Sequence, residues 1–200
     1  PWGVAVDSNG NLISGDFGTD PGTIYIHQGI SATTTNNFSS PDNQPTGLAI
    51  DSNGNLISVD NGTDKIYIHQ GISSTITSNF STPGSNPIGL TIDSNNNLIS
   101  VDNSTNTIYV HDGISATTTN SFSAPGSAPQ GLTIDPNGNL ISVDTGTDLI
   151  YVHDGISSTT TNSFSAPSTS PSGLTIDPNG DLIVVAWDNN SNRKLYIVSL

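Results

Sequence analysis

Residues 129–144 read Pro129-Gln130-Gly131-Leu132-Thr133-Ile134-Asp135-Pro136-Asn137-Gly138-Asn139-Leu140-Ile141-Ser142-Val143-Asp144. Two short apolar β-runs flank an Asn-Gly pair, and both residues of that pair tolerate positive φ, so the stretch reads as a hairpin. The opening of the phrase recurs at Gly3, Gly47, Gly89, Gly131 and Gly173, spaced by 44, 42, 42 and 42 residues. The two extra residues of the first interval fall between Phe17 and Thr23, where the second copy reads only Asn61-Gly62-Thr63-Asp64-Lys65. An insertion confined to one segment with intact flanks marks a surface loop.

One copy holds four β-runs, at 47–51, 55–60, 65–69 and 74–80, with turns at Ser52-Asn53-Gly54, at Asn61 to Asp64 and near Gln70-Gly71. That is an up-and-down meander of four strands. Such a sheet has two apolar faces and cannot bury both alone, so copies must stack face to face. Four-stranded units of about 40–45 residues arranged radially define an all-β propeller. The chain is therefore expected to be one β-propeller domain over residues 1–200, with repeats at 1–44, 45–86, 87–128, 129–170 and 171–200. The repeated Gly that opens each first strand suits a crowded axis where five strands converge. The fifth copy ends at Leu195-Tyr196-Ile197-Val198-Ser199-Leu200, after its third strand. Five blades of four-stranded antiparallel sheet are expected, the last with three strands or completed by added chain or a neighbouring protomer. A closed ring of this kind is expected to be monomeric.

The phrase Pro-x-Gly-Leu-x-Ile-Asp-x-x-Gly-Asn-Leu-Ile-x-Val-Asp resembles the NHL-repeat type of propeller blade, and the resemblance extends over the whole chain. It implies the fold. NHL-like blades commonly carry an Arg before the third strand, where this chain has Thr63-Asp64-Lys65 or Thr147-Asp148-Leu149. Members that bind RNA do so through a basic face. This chain has only Lys65, Arg193 and Lys194 against 17 acids, all Asp, for a formal charge of -14, so the RNA-binding role is not carried over. The same field repels phosphate backbones and anionic lipid heads, which argues against nucleic acid and membrane surfaces as partners. With no Cys there are no disulfides or thiolate metal sites. No run of about 18 apolar residues is present. Because Pro1-Trp2-Gly3 opens inside a repeat phrase, there is room for a trimmed signal or neighbouring domain upstream. The Thr/Ser/Asn-rich surface suits an extracellular or virion protein.

Several repeated positions are candidates for function. Asp7, Asp51, Asp93, Asp135 and Asp177 open Asp-x-Asn-x-Asn/Asp loops that resemble half of a calcium loop but lack its downstream bidentate acid, so turn-forming hydrogen bonds are the expected role. Asp16, Asp60, Asp102 and Asp144 close the second strands. With Asn61, Thr63, Asn103 and Thr105 they form the candidate ligand-binding set on the face that propellers generally use, the alternative being that each Asp caps its own hairpin loop. No cofactor is expected, and calcium at that carboxylate ring is the cation the pattern admits. His27, His69, His111 and His153 share one third-strand position that is Val198 in the fifth copy, and they are expected to be half-buried structural residues. Tyr25, Tyr67, Tyr109, Tyr151 and Tyr196, with Phe38, Phe80, Phe122 and Phe164, read as interblade packing. Trp2 and Trp187 are expected to seal the junction of first and last blades.

There is no Glu, no Gly-x-Ser-x-Gly elbow and no phosphate loop, so catalytic constellations are thin. The expected function is non-enzymatic recognition of glycan or protein through repeated weak sites. A display domain of a surface or fibre protein is the first alternative. A metal-dependent, lactonase- or lyase-like enzyme is the second.

Overall fold

The computed structural model describes residues 1–18, 20–188 and 192–199. The first sheet is β1 (Val4–Val6), β2 (Leu12–Asp16), β3 (Thr23–His27) and β4 (Thr34–Ser39). The second is β5 (Pro45–Ile50), β6 (Leu56–Asp60), β7 (Lys65–His69) and β8 (Ile76–Ser81). The third is β9 (Pro87–Ile92), β10 (Leu98–Asp102), β11 (Thr107–His111) and β12 (Thr118–Ser123), and the fourth β13 (Pro129–Ile134), β14 (Leu140–Asp144), β15 (Leu149–His153) and β16 (Thr160–Ser165). The fifth holds β17 (Leu174–Ile176), β18 (Leu182–Trp187) and β19 (Arg193–Val198). Each sheet is an antiparallel meander in chain order, and the protein is a five-bladed β-propeller whose last blade has three strands. No described helix is long and apolar enough to cross a membrane.

In the middle blades the first strand begins two residues earlier than the Gly-Leu phrase suggests. Pro45 pairs with Asp60 while Gly47 pairs with Val59, so Thr46 is an extra residue on one side of the ladder. The same slip passes over Ile88 between the Asp102–Pro87 and Val101–Gly89 pairs, and a third falls between Pro129 and Leu132. Pro is tolerated there as the first residue of a strand, where its missing N–H breaks no interior ladder bond.

The core lies between blades. Ala49, Ile57, Val59 and Ile66 of blade two pack on Leu90 and Leu98 of blade three, and equivalent clusters join blades three to four and four to five. Each fully buried Ile or Leu side chain is worth roughly 1.5–3 kcal/mol. In β6, β10 and β14 every residue is buried, because each second strand is covered on both faces. Their central Ser needs a partner there. Ser58, Ser100 and Ser142 share hydrogen bonds of 2.9, 2.9 and 2.8 Å with the Nε2 atoms of His69, His111 and His153.

Close approach at the axis accounts for the repeated Gly. A Cβ at Gly47 would lie 2.5 Å from the Ile88 carbonyl oxygen, at Gly131 2.6 Å from that of Ser172, and at Gly3 2.8 Å from that of Thr46. Gly89 meets the Gln130 carbonyl in the same way, and Gly173 meets that of Trp2. This last contact runs from blade five to blade one and closes the ring. The axial space beside these glycines is about 10 Å³, room for one water at most, and a second cavity of about 120 Å³ is lined further along the same strands by Ala5, Ala49, Thr91, Thr133 and Thr175.

Candidate functional site at the axial mouth

The loops after the second strands and the links between blades meet at one mouth of the axis. Asp60 Oδ2 accepts from Gln44 N at 2.7 Å, and Oδ1 accepts from Thr63 N at 2.9 Å and Thr63 Oγ1 at 3.1 Å. Asp144 does the same with Ala128 N at 2.6 Å, Thr147 N at 2.8 Å and Thr147 Oγ1 at 3.0 Å. Asp102 binds Asn86 N at 2.7 Å and both Thr105 donors at 2.9 Å, with Ser104 Oγ added at 2.6 Å. All three Asp residues are buried. Burial pulls the Asp102 carboxyl upward, but its hydrogen bonds from Ser104, Asn86 and Thr105 together hold it below the ordinary carboxylate value. Each of these carboxylates therefore ties its own hairpin loop to the incoming link from the preceding blade.

Of the sequence-marked set, Asn61 and Asn103 reach the mouth. Their Nδ2 atoms bridge to the next blade, Asn61 donating to Pro87 O at 3.3 Å and to Asn86 Oδ1, and Asn103 to Pro129 O at 3.0 Å. Thr63 and Thr105 lie behind, between their Asp and the hydroxyls of Tyr67 and Tyr109. Asp16 lies elsewhere, beside His27 and Leu195 at the junction of blades five and one.

What else lines the mouth breaks the repeat. The residue before the axial Gly is Trp2, Thr46, Ile88, Gln130 or Ser172 in successive blades, and the first four of these line a cavity of about 270 Å³ with Phe17, Gln44 and Asn86. Thr46 and Ile88 are the extra residues of the strand irregularities, a device that re-aims a side chain. Phe17 comes from the inserted loop of blade one and stacks on Trp2 with ring centroids 4.9 Å apart. Arg193 also lies over the indole, 3.7 Å from its centroid. Gln130 is 8% exposed, and its Oε1 is buried with no hydrogen-bond partner among the described residues. An unpaired buried acceptor costs about 1–3 kcal/mol.

Trp2 apart, which the sequence marks as a non-repeated aromatic, none of these residues belongs to a recurring position of the repeat. The signal that finds them is the opposite one, a single variable position inside an otherwise near-identical phrase.

The remaining repeated candidates are engaged in hydrogen bonds and packing within the fold. Asp51 Oδ1 accepts from Asn53 N and Asn55 N, and its Oδ2 from Asn55 Nδ2, while Asn55 Oδ1 accepts from Gly71 N. The loops opening at Asp7, Asp93 and Asp135 repeat this pattern. His69, His111 and His153 are fully buried rather than half-buried, because Phe38, Phe80 and Phe122 of the preceding blades cover them. Burial pushes all three below the ordinary histidine value against hydrogen bonds to the Ser73, Ser115 and Ser157 carbonyls, which favours the neutral imidazole. Among the described residues no three His, Cys, Asp or Glu side chains are grouped to hold a metal.

No family model matches the chain, and no curated protein sequence matches it. Solved structures do match. The WD40 β-propeller domain of Doa1 superposes with a TM-score of 0.64 at 16% identity over 88% of this chain, which spans 57% of that one. Myxococcus xanthus glutaminyl cyclase gives 0.75 at 14% identity over 99% of this chain and 91% of its own. Virginiamycin B lyase from Staphylococcus aureus gives 0.61 at 19% identity over 98% and 69%. At these identities the likeness is one of fold.

Proposed function

We propose that this propeller is a non-enzymatic recognition module that binds a neutral, hydroxyl-rich ligand, a glycan, at the axial mouth. The observation that carries the reading is the buried, unpartnered Gln130 Oε1 beside the stacked Trp2–Phe17 pair. A sugar hydroxyl donates to such an acceptor, and its C–H face suits an aromatic wall, the pairing of apolar lining with few convergent polar groups that small-ligand sites use. Amides of Gln44, Asn61, Asn86 and Asn103 stand around the rim.

The same lining argues against chemistry there. It holds indole, phenyl, amide, aliphatic and one Thr hydroxyl, and that Thr46 hydroxyl already donates to Pro87 O at 3.0 Å. Among the described residues no acid or base lines the cavity to move a proton. The reading includes no cofactor, since the Asp60, Asp102 and Asp144 oxygens are engaged in capping. It gathers recognition into one site, because the Asp and Thr of the repeated loops are engaged in capping while the diversified residues line the mouth with Asn61 and Asn103.

A neutral-glycan array probed with wild type and with Gln130→Leu tests this. Binding that Gln130→Leu weakens by about tenfold or more is expected, on the scale of losing a polar pair in a buried site. A flat array would leave the display-domain reading in its place, and equal binding by both proteins would take the site away from Gln130.

A further inference from the structure

Each inner strand, β1, β5, β9, β13 or β17, is paired on one edge only, with the second strand of its own blade. In an antiparallel ladder alternate residues turn both backbone groups away from the partner, so the free edges present N–H and C=O groups to the axis. Beyond the glycine constriction these edges enclose the second cavity of about 120 Å³, where Thr91, Thr133 and Thr175 of successive blades meet Ala5 and Ala49. Thr91 is 8% exposed and Thr133 6%, yet neither hydroxyl is hydrogen-bonded to a described residue. Buried polar groups require a partner, and the cavity that both residues line is the space where one can sit. Charge then selects the occupant. Lys65, Arg193 and Lys194, the chain's three cations, all stand at the starts of third strands, the end of the axial mouth. The inner strands run the other way, into Asp7, Asp51, Asp93, Asp135 and Asp177, and the fifth turn adds Asp181 where the others have Asn11, Asn55, Asn97 and Asn139. Surroundings of one sign raise the local concentration of counter-ions.

We propose that this inner cavity binds one monovalent alkali cation with part of its hydration shell, held by the hydroxyls of Thr91, Thr133 and Thr175 and by carbonyl oxygens of the inner-strand edges. The volume corresponds to about four waters at ~30 Å³ each, enough for an ion and a few waters. Those waters also accept from the axis-facing N–H groups, which an ion alone leaves unmatched. The donors define the class of ion. Among the described residues no carboxylate lines the cavity, and calcium or magnesium is bound through carboxylates, whereas neutral carbonyl and hydroxyl oxygens suffice for a singly charged ion. Because its three Thr ligands belong to successive blades, the ion cross-links blades three, four and five. Blades one and two have Ala5 and Ala49 at the same position, so that position tolerates an apolar side chain. The glycine constriction separates this site from the axial mouth, and it stands apart from the glycan reading.

Thermal unfolding of the intact chain in potassium, sodium or choline chloride at equal ionic strength tests this, since screening is then common to all three and the methylated nitrogen of choline offers no bare cation. Tm is expected to be about 2–4 °C higher in the potassium or the sodium salt than in choline, through binding to the native state alone. The double variant Thr91→Val with Thr133→Val removes both hydroxyls and keeps the side-chain shape. It is expected to fold in choline chloride and to lose the increment. Anomalous scattering from crystals soaked in rubidium chloride gives a second reading that needs no variant, and a peak among the three Thr is expected. Three results would overturn the proposal: equal Tm in all three salts, an undiminished increment in the double variant, or rubidium-soaked crystals with water alone in the cavity.

Discussion

The Arg193 guanidinium lies 3.7 Å from the ring centroid of Trp2, so the last strand of the chain holds down its second residue. The same group lies 4.9 Å from the Trp187 ring, and its Nη1 donates to Pro1 O at 3.0 Å and Ser172 Oγ at 2.6 Å. Burial pushes Arg193 down to about 10 while Asp16 pulls it back up, and it stays charged at neutral pH. This latch sits where the interblade core is thinnest, since only Val4, Leu12 and Val185, with Val6 against them, form the buried cluster there.

Removing the latch therefore loosens ring closure. Arg193→Ala is expected to cost about 2–4 kcal/mol, combining a cation–π contact with hydrogen bonds from a charged donor. Arg193→Lys keeps the charge but not the planar fork, so it recovers only part of the loss. Thermal unfolding of both, with a double-mutant cycle against Trp2→Ala, measures it; a coupling of about 1–2 kcal/mol is expected.

The buried carboxylates predict a different hierarchy. Asp144→Ala strips acceptors from Ala128 N and Thr147 N, at about 1–3 kcal/mol for each stranded donor, whereas Asp7→Ala in an exposed turn costs less. Urea unfolding ranks the two. Because the buried oxygens are already engaged, millimolar calcium is expected to leave Tm unchanged; a calcium-dependent rise would mean that the carboxylates leave their caps to bind the ion.

Stability should fall with pH in two stages. His69, His111 and His153 have native pKa values below their ordinary 6.5, so beneath that pH the unfolded chain binds more protons and the native state loses ground until its own imidazoles protonate. Asp102 is also lowered in the native state, and its contribution, present above its ordinary 3.8, is lost as pH drops through the native value. Tm measured from pH 7.5 to 3 should decline in both windows, and His111→Gln should flatten only the upper one.

Two glycines test two different constraints. At Gly131 the obstacle is the Ser172 carbonyl 2.6 Å from a new Cβ, so Gly131→Ala overpacks the axis at about 1–3 kcal/mol. At Gly138 space is open but φ is +86°, so Gly138→Ala is strained while Gly138→Asn is tolerated, as Asn96 shows at φ 64° in the same turn of blade three. Calorimetry on the three variants separates crowding from backbone strain.

The ring was legible in the sequence because each cue is local. Asn-Gly fixes the first hairpin, Leu-Ile-Ser-Val-Asp marks a strand buried on both faces, and Gly at the axis needs no knowledge of its neighbours. The mouth was not legible in that way. Whether Asp60 faces solvent or caps Gln44 N depends on a link 16 residues upstream. That Thr46 and Ile88 point to the axis depends on strand irregularities no repeat pattern announces. Full burial of His69 comes from Phe38 in the preceding blade, a contact between copies rather than within one.

The central claim is that recognition takes place at the axial mouth through the residues that break the repeat. Titration of ¹⁵N-labelled protein with a neutral oligosaccharide, followed through side-chain amide resonances, tests it most directly. The account predicts shifts at Gln130, Gln44 and Asn86 and at the Trp2 indole, with Asn36 and Asn120 on the exposed outer strands unmoved. Shifts confined to the outer strands, or spread equally over equivalent loops of every blade, would contradict it.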